Sequence, residues 1–239
     1  RAVVSGLESI QDAAMTLAQG ATGDHLTLAC THEVSHLFLM PRFDALQAAV
    51  GDATRLHIMT VEYDAREVLA DPRIDLVLTY DGSSADPGDR TIALQEAVTP
   101  LCSPTFLRNH DDVLTRDVSH WGGLPFLTMT RRNLGWATWQ DWFDRVGAPE
   151  SAPVFVGLDN YVYLLEAAAA GRGLVLGWRG MVERYLEAGT LTTLNDAWVE
   201  FERPFYAKLT RQGRERTAAR RCLAFFAQPL ARQEPNDGT

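Results

Sequence analysis

A run of hydroxyl, imidazole and carboxylate side chains offers the first candidate chemistry in the sequence. It covers residues 31–36 and reads Thr-His-Glu-Val-Ser-His. His32 and His36, with Glu33 between them, have the spacing of a His-Glu-x-x-His zinc site, in which the histidines bind the metal and the glutamate is the general base. Such a site needs a mid-helix position and a third ligand downstream. A zinc hydrolase that uses His32 and His36 is therefore the enzymatic alternative for this chain.

The position of the same run favours ligand anchoring over catalysis. A short apolar strand is predicted at residues 26–30, and a helix is predicted at residues 34–50, with Pro41 as a kink or a restart. The run thus lies at a helix N-terminus, where backbone N–H groups attract polar ligand groups. Thr31 or Ser35 also fits as a helix cap. We predict a binding turn with no catalytic residue, no bound metal and no cofactor.

Polar and aromatic residues end other predicted strands in the same way. Residues 60–63 follow the second strand, Tyr80 ends the third, and the corner at residues 157–161 opens a helix. Trp178, Tyr161 and Glu62 together suggest an aromatic and acidic box for a cationic ligand. The effector contacts predicted from the sequence are Thr31, His32, Glu33, Ser35, Thr60, Glu62, Tyr80, Thr128, Asp159, Asn160, Tyr161 and Trp178.

Alternating strands and helices must position these residues. Strands are predicted at residues 26–30, 55–61 and 74–80, with helices at 34–50 and 64–70 between them, which indicates a parallel sheet covered by helices. The second half repeats the pattern with an extended segment at 91–102, strands at 125–130, 153–157, 174–178 and 205–210, and helices after Ser103 and at 136–146, 160–170, 181–188 and 217–227. In such folds ligands bind at the carboxyl ends of the strands.

This order predicts an α/β chain of two Rossmann-like lobes joined by two crossovers. Lobe I is expected at residues 24–98 plus 205–228, and lobe II at residues 99–204. Residues 1–22 are predicted to be the remnant of a linker helix, and residues 229–239 a disordered tail. The ligand cleft is expected between the lobes.

Composition narrows the function further. The formal net charge is −9, which argues against nucleic-acid binding by this chain itself, because phosphate contacts need a basic face. Cys30, Cys102 and Cys222 are odd in number, widely spaced and set in apolar runs, which is typical of free thiols in a reducing compartment. The longest apolar stretches are far too short to span a membrane. We therefore expect a cytoplasmic protein without a membrane partner.

Four segments resemble one family of bacterial regulators. Residues 26–43 resemble the opening of the effector-binding domain of LysR-type transcriptional regulators. Residues 73–80, Arg-Ile-Asp-Leu-Val-Leu-Thr-Tyr, are similar to the family's Gly-Ile-Asp-Leu-Ala-Ile-Arg-Tyr strand, and residues 100–107, Pro-Leu-Cys-Ser-Pro-Thr-Phe-Leu, to its Pro-Val-Cys-Ser-Pro segment. Residues 166–176, Glu-Ala-Ala-Ala-Ala-Gly-Arg-Gly-Leu-Val-Leu, match a further segment. The glycine-cleavage-activator-like branch is the most similar.

The resemblance implies the periplasmic-binding-protein type 2 fold, an effector cleft between two lobes, and assembly into a homodimer or tetramer. It implies effector contacts at residues 31–35, 60–62 and 159–161. Arg is common in the family where Thr79 stands here, so a carboxylate ligand would lose one partner. Promoter DNA would be bound by a helix-turn-helix domain that precedes residue 1 and is absent from this chain. The alternative on the same fold is a stand-alone solute-binding protein of a transporter, which needs an upstream signal sequence instead.

Overall fold

A computed structural model describes residues 24–61, 68, 70–81, 86–130, 135–148, 154–195 and 197–228. The predicted linker helix at residues 1–22 and the predicted tail at 229–239 lie outside this part of the chain. So do Glu62 and most of the predicted helix at residues 64–70.

The first sheet contains five strands, which are β1 Asp24–Cys30, β2 Thr54–Thr60, β3 Leu76–Thr79, β4 Arg90–Leu94 and β11 Phe205–Leu209. Their order in the sheet is β2-β1-β3-β11-β4. Strand β1 pairs in parallel with β2 and β3, as the alternating pattern predicts. Strand β11 instead runs antiparallel to β3 and β4, because it enters this sheet from the other half of the chain.

The other strands form a four-stranded sheet and a two-stranded sheet, which we together call the second sheet. The strands are β5 Ala97–Cys102, β6 Pro125–Met129, β7 Val154–Leu158, β8 Val175–Trp178, β9 Thr192–Thr193 and β10 Val199–Glu200. Strand β5 pairs antiparallel with β8, β9 and β10, and β6 pairs in parallel with β7. A parallel bridge between Phe126 and Leu174 connects the two groups.

The chain crosses between the sheets twice, and the two crossovers are hydrogen-bonded to each other. The first, at residues 95–96, divides the predicted extended segment 91–102 into β4 and β5, which belong to different sheets. The second lies between β10 and β11. The Phe201 N–H donates to the Glu96 carbonyl at 2.9 Å, and the Gln95 side chain donates to the Phe201 carbonyl at 2.5 Å. Two lobes with two crossovers are thus present, while the lobe boundaries at residues 98–99 and 204–205 stay predictions.

Helices cover both sheets. They are α1 His32–Val34, α2 Phe43–Val50, α3 Pro104–Asn109, α4 Asp111–Leu114, α5 Trp139–Val146, α6 Tyr161–Ala169, α7 Glu183–Glu187 and α8 Thr217–Phe226. Ser103 caps α3 as predicted, by accepting from the Phe106 N–H. Between α1 and α2 the helix changes to π type and then to 3-10 type at Met40–Arg42, because Pro41 has no N–H to donate. None of the helices described is long and apolar enough to cross a membrane.

A buried carboxylate holds the first sheet to the last helical segment. Asp75 accepts the Thr27 N–H at 2.9 Å and the Arg216 guanidinium at 2.8 Å, which joins β1 to the residue that precedes α8. Arg216 also donates to the His25 carbonyl. The Arg216 charge and the two hydrogen bonds to Oδ2 offset the cost of burying this carboxylate.

Candidate functional site

A cavity of about 710 Å³ lies against the second sheet, next to the crossovers. This volume suits a small metabolite. Its wall combines aromatic, apolar, hydroxyl and charged side chains. The lining consists of residues 127–129 and 135–141 together with Phe155, Tyr161, Leu164, Val175, Leu176, Trp178 and Arg203.

Trp136 reaches this cavity because helix α5 begins later than the sequence pattern predicts. The predicted helix starts at residue 136, whereas α5 starts at Trp139. Thr138 accepts the Asp141 N–H, and the Asp141 carboxylate accepts the Thr138 N–H at 2.7 Å, which is a capping box. Residues 135–138 therefore form a loop. The Thr-x-x-Asp spacing at residues 138–141 is the sequence signal that could have shown this.

Trp136, Tyr161 and Trp178 form three nearly perpendicular walls. The Trp136 ring lies 5.9 Å from Tyr161 at 75° and 5.4 Å from Trp178 at 72°, and the Tyr161 and Trp178 rings are 4.9 Å apart at 89°. Tyr80, at the end of β3, stacks against Trp136 at 6.3 Å. Edge-to-face contacts of this kind are favourable because they place a ring's positive edge on a negative face. We call Trp136, Tyr161 and Trp178 the aromatic corner.

Hydrogen bonds fix two members of the corner in place. The Tyr161 hydroxyl donates to the Leu176 carbonyl at 3.0 Å and accepts the backbone N–H of Trp178 at 3.3 Å. Tyr161 is fully buried, and burial raises the pKa of its phenol well above the usual value. The Tyr161 hydroxyl is therefore neutral and connects α6 to β8, and the Tyr161 ring forms one wall of the aromatic corner.

Glu96, in the first crossover, is bonded to the aromatic corner and was not singled out by the sequence. Its side chain is 1% exposed. Oε1 accepts the Trp178 indole N–H and the Ala137 backbone N–H, both at 2.8 Å. Burial raises the pKa of this carboxyl, and the hydrogen bonds from Trp178 and Ala137 oppose the rise. Oε2 is buried and has no hydrogen-bond partner among the described residues.

The charged residues that line the cavity, Arg203 and Asp141, form an ion pair. Arg203, in the second crossover, donates to Asp141 Oδ1 at 2.8 Å and Oδ2 at 3.2 Å, and to the Trp136 carbonyl at 3.2 Å. These bonds lower the pKa of Asp141 to about 2. The pair therefore remains ionised at neutral pH and joins the second crossover to the loop that carries Trp136.

The structure gathers some of the predicted contacts and leaves others apart. Thr128, Tyr161 and Trp178 line the cavity, and Tyr80 lies directly behind Trp136. Asn160 caps α6 by accepting the Val162 N–H at 2.9 Å. Neither Tyr80 nor Asn160 lines the cavity itself. The other predicted contacts that do not line it are Thr31, His32, Glu33, Ser35, Thr60 and Asp159. Glu62 lies outside the described residues. The other two members of the predicted box, Trp178 and Tyr161, contact Trp136, and Trp178 is also bonded to Glu96.

The run at residues 31–36 lies where the first sheet meets α7. His36 Nε2 is 2.7 Å from an Arg184 nitrogen, which is always a donor, so this imidazole nitrogen is the acceptor. A nitrogen engaged in this way does not offer its lone pair to a metal. Among the residues that the structure describes, no three His, Cys, Asp or Glu side chains are grouped to hold a metal ion. The Thr31 hydroxyl oxygen is buried and lacks a described hydrogen-bond partner.

Sequence comparison identifies the family of the chain. The family model described as the LysR substrate binding domain matches residues 19–231. The chain belongs to this family. No curated protein sequence matches it. Members of this family have the periplasmic-binding-protein type 2 fold, which agrees with the sheets and the two crossovers of this chain.

Solved structures of regulatory domains share this fold. The regulatory domain of CrgA, a LysR-type regulator from Neisseria meningitidis, matches with a TM-score of 0.65 and 19% identity, over 86% of this chain and 98% of that chain. The AmpR effector-binding domain from Citrobacter freundii matches with a TM-score of 0.64 and 21% identity, over 85% and 96%. The effector domain of AmpR from Pseudomonas aeruginosa gives 0.61 and 21%, over 85% and 94%.

Glu96 makes stability depend on pH in a defined direction. Burial raises the pKa of its carboxyl in the folded chain above the ordinary value of 4.5. The stability that the protonated carboxyl contributes is therefore lost as pH rises above 4.5. Glu96→Gln removes this dependence. We expect the melting temperature of the wild-type chain, relative to that of Glu96→Gln, to fall as pH rises above 4.5.

Thermal unfolding followed by circular dichroism measures this difference. Glu200→Gln is the control, because Glu200 is exposed and pairs with Arg179 only at 3.4 Å. Its difference from wild type should stay flat over the same range. A constant difference for Glu96→Gln would show that Glu96 is not held at a raised pKa.

Proposed function

We propose that this chain is the effector-sensing domain of a LysR-type transcriptional regulator and that its effector binds in the cavity beside the crossovers. The observation that supports this proposal best is that Trp178, Trp136 and Arg203 all line the cavity. Trp178 is bonded to Glu96 in the first crossover, and Arg203 belongs to the second crossover and is bonded to the Trp136 carbonyl. Family membership supports the sensing role. Transcription would be controlled through a DNA-binding domain outside residues 1–239, and the chain itself would not be an enzyme.

The proposed mechanism is a shift between two arrangements of the lobes. Glu96 binds the cavity wall through Trp178 and Ala137, and its carbonyl binds the second crossover through Phe201. A ligand that contacts these walls differently in the two arrangements changes their populations by its difference in affinity. The crossovers would convert that preference into a change of lobe orientation.

The turn at residues 31–35 remains a proposed second contact region. Thr31 offers a buried hydroxyl oxygen without a described partner, which a ligand donor could use. Glu33 is buried nearby, and its charge adds to the burial that raises the pKa of the Cys30 thiol to about 12. The three described cysteines are buried free thiols, which supports the proposed cytoplasmic location. Assignment to the glycine-cleavage-activator-like branch also remains a proposal.

An apolar surface supports the proposed assembly into a homodimer or tetramer. Strand β7 exposes about half of Val154 and of Phe155, and α6 exposes more than half of Tyr163. Strand β7 pairs only with β6 among the described strands, so one of its edges has no described partner. Apolar surface of this kind commonly marks a protein interface. We propose that β7 and α6 form the contact between copies of the chain.

Filling the cavity should abolish effector binding. A ligand at about 100 times its Kd stabilises the native state by about 2.7 kcal/mol, which raises Tm by about 5 to 10 °C for a chain of this size. We expect a thermal-shift panel of amino acids, dicarboxylates, sugars and quaternary amines to contain such a ligand. In Thr128→Phe, whose ring occupies the cavity, the shift should fall close to zero.

Thr105→Phe is the matched control, because Thr105 is exposed on α3, away from the cavity lining. It should keep the full shift. A panel in which no compound raises Tm, or a shift that survives in Thr128→Phe, would contradict the proposed site.

Charge introduced into β7 should dissociate the assembly. We expect sedimentation velocity to show a dimer or tetramer for the wild-type chain and a monomer for Val154→Glu, because a buried unpaired carboxylate opposes association. Ile92→Glu is the control, since Ile92 is a similarly exposed apolar residue on β4. Dissociation by Ile92→Glu alone would place the interface elsewhere.

A further inference from the structure

The charges around the cavity leave one carboxylate without a cation. Arg203 is bonded to both oxygens of Asp141 and to a backbone carbonyl, so this pair is neutral as a unit. Glu96 accepts hydrogen bonds only from neutral N–H groups. Burial has the largest effect on its pKa and raises it, while the Arg203 charge lowers the pKa and the Asp141 charge raises it, both by less. The site therefore carries one net negative charge whenever Glu96 is ionised.

The aromatic corner adds an attraction for positive charge. The faces of Trp and Tyr rings carry partial negative charge, and a cation within about 6 Å of a ring centroid is stabilised by it. Three nearly perpendicular rings bring more than one ring within that reach of a group in the corner. The corner also excludes water, since Tyr161 is fully buried and Trp178 is 5% exposed. Cation–π attraction is stronger where water is excluded.

We infer that the cavity selects a small organic cation whose substituted ammonium group sits in the aromatic corner and is balanced by Glu96. This inference rests on the proposed function, because it concerns the ligand of the same cavity. The methyl groups of a substituted ammonium match the apolar ring faces, and the group needs few hydrogen-bond acceptors. A carboxylate ligand lacks an equivalent place, because Arg203 is already engaged by Asp141 and by the Trp136 carbonyl.

Glu96 then has a second role as a positioning residue. A cation near the corner favours the ionised form of Glu96, whose pKa is raised by burial. The ionised carboxylate is a stronger acceptor for the N–H groups of Trp178 and Ala137 than the neutral acid is. Ligand binding would in this way tighten the link between the cavity wall and the first crossover.

The test compares two probes of the same shape that differ in charge. Choline and 3,3-dimethylbutan-1-ol differ by the replacement of a quaternary nitrogen by carbon. We expect isothermal titration calorimetry with the whole chain to show that choline binds at least about tenfold more tightly than the neutral alcohol. In Glu96→Gln, which keeps an acceptor for Trp178 and Ala137, the preference should fall to about threefold or less.

Trp136→Leu is the second variant, because it removes one wall without changing charge. It should weaken choline binding by about tenfold and leave Glu96-dependent melting unchanged. The pH dependence of choline binding provides a further readout: affinity in the wild-type chain should rise with pH as Glu96 ionises, and this rise should be absent in Glu96→Gln.

The outcomes separate this inference from the proposed function. Equal binding of the two probes, or tighter binding of the alcohol, overturns the inference. The inference is also overturned when a carboxylate or a sugar from the panel binds, its binding is lost in Thr128→Phe, and no ammonium compound binds; the proposed function then stands. When no compound binds in the cavity at all, both are overturned.

Discussion

The buried carboxylate of Glu96 is the constraint around which the cavity and the crossovers are arranged. A carboxylate removed from water must be compensated by hydrogen bonds, and here one oxygen accepts one N–H group from the end of β8 and one from the loop before α5. The backbone carbonyl of the same residue binds the second crossover. One residue therefore connects β5, the loop before α5, the end of β8 and the segment that leads to β11.

The character of the cavity follows from this arrangement. The bond from Trp178 to Glu96 orients the indole, and Tyr161 and Trp136 then pack against it at steep angles. Arg203 secures the loop that carries Trp136 from the other crossover. Both crossovers thus contact the walls of one cavity, and the proposed effect of a ligand on the orientation of the two sheets depends on these contacts.

Much of the architecture could be predicted because it depends on local patterns. Alternating apolar strands and capped helices indicated two α/β halves, and family membership confirms the fold. The site was harder to predict because it depends on contacts between distant residues. Glu96 has no sequence motif and lies inside what reads as one extended segment; only the division into β4 and β5 places it beneath Trp178. Trp136 was assigned to a helix because its apolar spacing resembles that of α5, whereas the Thr138 cap ends the helix before it.

Hydrogen exchange tests most directly whether Glu96 joins the cavity wall to the crossovers. Glu96→Ala removes the acceptor of the Ala137 and Trp178 N–H groups but leaves the first sheet untouched. Exchange measured by mass spectrometry should become faster at residues 135–138 and 199–203 and stay unchanged at residues 26–30. Unchanged exchange at residues 135–138, or an equal increase throughout the chain, would contradict this role of Glu96.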